Sequence, residues 1–298
     1  MSTALGIDIG GTKISAAVWD GQTLSGFEKR PTPTDPQEFL NTLQSLVTAH
    51  PNITAIGVAT AGLVSSDGTI LGATGNLPAL QQLPDLKQRL QALTQRPVVI
   101  ENDANAAAYG ECRQGAAQGE TDMLMVTLGT GVGTGLVMHN QLVRGAHSHG
   151  AEGGHIPLRM GRHRQCTCGR WDCWEAYASG TGLKTTLRQR LAQSSTPVWA
   201  GLEATAGTHD LFERLNDPLS QEVIALWHEH IAVGLSGLLN LLDPGVTVLG
   251  GGLAKFVNFD QLQAALAPRV FYPQPRLALA TLGNQAGIVG AAYLALGQ

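Results

Sequence analysis

Ala4-Leu-Gly-Ile-Asp-Ile-Gly-Gly-Thr-Lys-Ile-Ser-Ala-Ala-Val-Trp19 is an apolar run, a glycine turn and a second apolar run. Residues 4–9 predict a strand, Gly10-Gly11-Thr12-Lys13 a turn, and Ile14–Trp19 the returning strand. The order recurs further on. Met123–Leu128 predicts a strand, Gly129-Thr130-Gly131-Val132-Gly133-Thr134-Gly135 a glycine turn, and Leu136–His139 a returning strand. A strand, glycine turn and strand that occur twice predict two related α/β lobes, each offering one glycine hairpin to a shared cleft.

The intervening sequence fits that plan. A third strand is predicted near Leu24–Arg30 and a helix over Pro36–Thr48, with Phe39, Leu40, Leu43, Leu46 and Val47 on one face. Ala55–Ala59 predicts a short buried strand, and Thr60-Ala61-Gly62 through Asn76-Leu77-Pro78 a loop. A helix over about 84–95 and a strand at Val98–Glu101 lead to an alanine-rich helix opened by Asn102. Later come a long amphipathic helix (about 218–242), a strand at Val246–Leu249, the turn Gly250-Gly251-Gly252, and a small-residue helix at Gly287–Leu296. The expected lobes are 1–118 and 119–284, with the last helix (about 285–298) packed back on the first.

At 298 residues and 43% hydrophobic content the chain can bury a sizeable core. A net charge of −4 without a Lys/Arg run speaks against nucleic-acid or membrane-surface binding. The amino terminus lacks the basic and apolar regions of a signal peptide, and no apolar run is long enough to span a bilayer. Cysteines clustered in such a chain predict metal ligands rather than disulfides, and a cytoplasmic location. Cys112 stands apart and is expected to pack in a core.

Both glycine turns suit phosphate. Gly10-Gly11 after a strand lets the backbone approach an anion, with Thr12 as a hydroxyl donor and Lys13 as a counter-charge. Asp8 at the strand end could hold the hydrated Mg²⁺ that accompanies a nucleotide. The Gly129, Thr130, Gly131, Gly133 turn repeats the device without charge. Neither a P-loop nor a dinucleotide fingerprint is present, because Asp8 stands where the latter needs glycine.

A second cluster lies at Glu152-Gly-Gly-His155 and Cys166-Thr-Cys168-Gly-Arg-Trp-Asp-Cys173-Trp-Glu175. Three thiols and an imidazole match a closed, structural zinc site, with His163 as a spare candidate for the histidine. Asp103, in the first turn of a helix, should stay ionised and could accept a hydroxyl proton; Asn102-Asp103 could equally be a helix cap. Glu152 and Glu175 could accept hydrogen bonds from vicinal hydroxyls.

Taken in order, Asp8–Lys13, Glu101–Asn105, Leu128–Gly133, Glu152–His155, Cys166–Glu175 and Leu249–Gly252 resemble the ROK family of bacterial sugar kinases over essentially the whole chain. The resemblance implies a two-lobed actin-like ATPase (ribonuclease H-like) fold with a structural zinc loop, ATP held by the two hairpins, and a homodimer. It implies Asp103 as catalytic base; Asn102, Glu152, His155 and Glu175 as sugar ligands, with Gly62 and Asn76 facing the sugar; and Gly250, Gly251 and Gly252 near adenosine. It favours His155, with Cys166, Cys168 and Cys173, as the zinc ligands. Asp172 stands where the family usually has glycine, which bears on the turn conformation. The implied substrate is a hexose or N-acetylhexosamine. Ala59–Gly62 and Thr74 rank N-acetylmannosamine first, ahead of glucose and then N-acetylglucosamine. A sugar-responsive repressor is the rival class, but the Asp8 motif leaves no room before it for a DNA-reading helix.

Overall fold

The computed structural model describes residues 2–194, 196–272 and 274–297. The chain begins with strands β1 (Ala4–Ile9), β2 (Lys13–Trp19) and β3 (Leu24–Pro31), helix α1 (Pro36–Thr48), and strands β4 (Ala55–Thr60), β5 (Gly62–Val64) and β6 (Ile70–Ala73). Helices α2 (Pro78–Gln81) and α3 (Leu86–Thr94), strand β7 (Val98–Asn102) and helix α4 (Asp103–Gln114) follow. Then come strands β8 (Met123–Leu128), β9 (Val132–Met138) and β10 (Gln141–Leu142), and helices α5 (Glu175–Ala178), α6 (Gly180–Gln193), α7 (Thr208–Phe212) and α8 (Pro218–Leu242). Strand β11 (Val246–Gly250), helix α9 (Phe259–Leu266), strand β12 (Leu277–Leu279) and helix α10 (Ala286–Leu296) complete it.

Two five-stranded sheets run β3-β2-β1-β4-β7 and β10-β9-β8-β11-β12. Each places a hairpin meander in reverse chain order and then adds two later strands, so the sequence repeat is a repeat of topology. The chain divides into a first compact unit, Met1–Met125, Gly135–Ala151 and Ala280–Gln298, and a second, Val126–Thr134 and Glu152–Leu279.

In the first unit the strand period of two sorts β1 by side-chain size. Leu5, Ile7 and Ile9 enter an aliphatic core with Ile56, Val58 and the α1 residues Phe39, Leu43 and Leu46. Ala4, Gly6 and Asp8 take the opposite face, under α10, where Ala4 shares a cluster with Ala292. Helix α10 can lie that close because its partners are small. A Cβ at Gly57 would stand 1.9 Å from the Ala291 oxygen, and one at Gly290 1.7 Å from the Ala106 oxygen. Helix α1 starts where Asp35 accepts from the Gln37 and Glu38 amides (both 2.9 Å) ahead of Pro36 at the first helical position.

The second unit is built on α8. Asp217 caps it, Pro218 opens it, and Val223, Trp227, Ile231, Leu235 and Leu239 recur every four residues as its buried stripe. Trp174 lies fully buried over Gly234, where a Cβ would stand 2.3 Å from the indole, and donates its Nε1–H to the His230 oxygen at 2.9 Å. That contact seats the cysteine segment on α8.

Two local expectations change. Residues 60–78 carry the β5–β6 hairpin and α2 rather than a plain loop. Strand β9 begins at Val132, four residues earlier than expected from the sequence, and there the Gly133 amide donates to the Thr127 hydroxyl of β8 (3.2 Å). No helix among the described residues is long and apolar enough to cross a membrane.

Candidate active site

The first glycine turn closes with the Gly10 amide donating to the Lys13 oxygen at 3.0 Å. Thr32 braces it, donating its hydroxyl to the Gly10 oxygen at 2.6 Å and its amide to the Thr12 oxygen at 3.2 Å. Gly11 lies against Asn76; a Cβ there would stand 2.3 Å from the Asn76 amide nitrogen. Thr12 and Lys13 are exposed. Asp8 points to the α10 face, and burial, then the charge of Asp103, raise its carboxyl to about 6, with Lys13 partly offsetting them. The fold therefore brings two carboxylates from separate strand ends together.

Asn102 caps α4, its Oδ1 accepting from the Ala104 amide (2.9 Å) and the Asn105 amide (3.1 Å). Its Nδ2 donates to the Gly62 oxygen at 3.0 Å. Gly62 takes a left-handed φ of 119° that suits glycine. The cap leaves one amide N–H of Asn102 for another partner. Asp103 accepts from the Ala104 amide at 2.9 Å. Burial raises the Asp103 carboxyl above the ordinary 3.8, against this bond and the helix end. Desolvation thus outweighs the backbone hydrogen bonds that favour the ionised form, so Asp103 ionises less readily than its place in the first helical turn alone implies.

Beneath this pair sits Glu101, buried, accepting from the Asn102 amide (3.0 Å) and the Asn105 side-chain amide (3.0 Å) and paired with Arg144 Nε at 2.6 Å. Glu101 belongs to a motif quoted above. Arg144 lies 43 residues away, and nothing in its local sequence marks it.

In the second unit the ligand atoms of His155, Cys166, Cys168 and Cys173 all lie within 4.8 Å of one another. Cys168 and Cys173 sulfurs are 3.7 Å apart, as are Cys166 Sγ and His155 Nδ1. Tetrahedral zinc with Zn–S near 2.3 Å separates its sulfurs by roughly 3.8 Å, so the four donors fit that ion. The turn is made by Gly169, whose amide donates to the Cys166 oxygen at 2.9 Å. His163 is engaged elsewhere, 3.2 Å from Asp172.

Asp172 adopts the left-handed φ of 58° that the family's glycine would suit. Its buried carboxylate accepts from the Arg164 amide (3.0 Å), the His163 amide (3.1 Å) and the Tyr177 hydroxyl. Burial pushes its pKa up, but these bonds prevail and hold it well below the usual carboxylate range. They also show how this chain supports an aspartate at a strained position.

Glu175 bridges two segments of this unit. Its Oε2 accepts from the Val132 amide at 3.0 Å, while Oε1 accepts from the Thr167 hydroxyl at 3.1 Å and lies 3.3 Å from Cys166 Sγ. Glu152 is more loosely placed, 3.9 Å from His155 Nε2. The turn Gly250–Gly252 lies against β8, with the Leu253 amide donating to the Leu128 oxygen at 3.0 Å. The fold thus gathers Asp8 with Asp103, Asn102 with Gly62, Gly11 with Asn76, the four metal-type ligands, and Glu175 with the Gly129–Gly133 turn. Arg144 and Thr167 are supporting residues that sequence reasoning missed, and for Glu101 and Asp172, quoted in the motifs, it gave no partners.

Comparison with known proteins identifies the family and the fold. The profile of the ROK family matches residues 4–298. Glucokinase of Streptomyces coelicolor is 36% identical over 99% of this chain and 98% of its own length. N-acetyl-D-glucosamine kinase of Salmonella arizonae is 33% identical, with 98% of each chain covered. Among solved structures, the ROK hexokinase of Thermus thermophilus superposes with a TM-score of 0.86 at 34% identity, covering 99% of this chain and 98% of that one. The ROK family glucokinase of Streptomyces griseus, in complex with glucose and AMPPNP, gives 0.82 at 32% identity with both chains fully covered. The α/β architecture is that of these sugar kinases.

Proposed function

The chain belongs to the ROK family, and on that premise we propose that it is an ATP-dependent sugar kinase, transferring the γ-phosphate to the 6-hydroxyl of a hexose. The observation that carries this reading is the placement of Asp8 on β1 and of Asp103 directly after β7 at the same, C-terminal end of the parallel strands β1, β4 and β7, where the charge of Asp103 helps raise the Asp8 carboxyl. Asp103 takes the proton of the sugar hydroxyl as its oxygen attacks the γ-phosphorus and the bond to ADP breaks. A carboxyl lifted by burial is the stronger base for that step. Asp8 would hold the hydrated Mg²⁺ of the nucleotide, which supplies charge stabilisation for the transferring phosphoryl group.

The glycine turns at Gly10–Lys13 and Gly129–Gly133 are proposed to hold the phosphates, and Gly250–Gly252 the adenosine. Gly62, Asn76, Asn102, Glu152, His155 and Glu175 are proposed for the sugar. Zn²⁺ on His155, Cys166, Cys168 and Cys173 would be structural, because four protein ligands leave no open position, and would fix the segment from Glu152 to Glu175.

Glucose is the preferred substrate, on the strength of the 36% identity to a glucokinase. Ala59–Gly62 and Thr74 favour N-acetylmannosamine as the second reading. The test is a coupled ADP-release assay across glucose, mannose, fructose, N-acetylglucosamine and N-acetylmannosamine. The expected result is the highest kcat/KM with glucose; higher values with an N-acetylated sugar would reverse the ranking, and no Asp103-dependent release with any of them would end the kinase reading.

A further inference from the structure

We propose that Glu175 is a positioning residue for the nucleotide loop as well as a sugar ligand: its carboxylate fastens the second glycine turn to the cysteine segment. This inference rests on the kinase reading above.

The backbone from Gly129 to Val132 is anchored at three successive points. The Gly129 oxygen accepts from the Gly180 amide at 2.8 Å, and the Thr130 oxygen from the Thr181 hydroxyl at 3.0 Å. In a planar trans peptide the N–H points opposite to the preceding C=O. Fixing those two carbonyls therefore turns the Thr130 and Gly131 N–H groups away from the start of α6, as a phosphate-cradling turn requires. The third anchor differs: the Val132 N–H points inward, onto Glu175 Oε2 at 3.0 Å. A charged acceptor makes this the strongest of the three bonds. The other oxygen of Glu175 holds the Thr167 hydroxyl, so this side chain joins both segments. Gly131 completes the fit, because a Cβ there would stand 2.3 Å from Oε2.

The test is calorimetric ADP binding with Mg²⁺ and without sugar, on the full-length wild type, E175A, E175Q, G131A and the E175A/G131A double variant. Loss of a charge-assisted bond to the turn should weaken ADP by about tenfold in E175A. E175Q keeps a neutral oxygen for the Val132 N–H and should weaken ADP by about threefold, less than E175A does, while its sugar KM rises. G131A displaces the carboxylate and should weaken ADP, whereas adding it to E175A should cost little more. E175A binding ADP as the wild type does, with only the sugar KM raised, overturns the proposal. Should E175A fail to fold, G131A with unchanged ADP affinity does the same. A wild type that binds no ADP refutes the kinase reading itself, and this inference with it.

Discussion

Replacing Asp8 with asparagine should make this protein more stable and less active. Burial and the charge of Asp103 raise the Asp8 carboxyl from the ordinary 3.8 to about 6. At about 1.4 kcal/mol per tenfold change in proton affinity, the ionised form costs the folded state at most ~3 kcal/mol. Part of the side chain remains open to solvent, so about 1–3 kcal/mol is the working range. The sign follows from the raised value. Stability from this group is fully present below the unfolded pKa of 3.8 and is lost as pH rises through about 6. Asp8→Asn removes the titration. Near pH 7.5, in EDTA without nucleotide, the variant should melt roughly 2–6 °C above the wild type. Below about pH 4, where the wild-type carboxyl is protonated, the gain should vanish. Turnover should fall by at least about a hundredfold, as expected for loss of a proposed Mg²⁺ ligand. Differential scanning calorimetry across the pH range reads the first effect and the coupled assay the second. Asp8→Asn melting at or below the wild type at every pH would refute the reasoning, since burial would then not be penalising the charge.

Asp103→Asn should lower kcat by about 10²–10⁴ while sugar binding, measured by calorimetry, persists, because the amide keeps the shape but takes no proton. Cys168→Ser should reduce zinc content, read by a chelator-dye assay, and sugar affinity with it; a variant with full zinc and normal sugar binding would unseat the ligand assignment. Glu111 is fully buried and accepts from the amides of Ala116 (2.8 Å), Thr281 (3.2 Å) and Leu282 (2.8 Å). Glu111→Ala strands these donors, and urea denaturation should show a loss of roughly 3–5 kcal/mol.

What the sequence determined by itself is local. Apolar runs and glycine pairs placed β1, β2 and β8, and apolar residues recurring on one face placed α1 and α8, because strand and helix periodicity act over a few positions. The spacing of Cys166, Cys168 and Cys173 declared the metal-type cluster for the same reason. The tertiary structure alone decided what depends on burial and on partners distant in the chain. The helix end favours an ionised Asp103, yet its carboxyl is raised, since desolvation is set by everything packed around it. Arg144 reaches Glu101 across 43 residues, and Glu175 reaches Val132 across the same separation. Such contacts leave no periodic trace, because the fold brings together residues that share neither a turn nor a face.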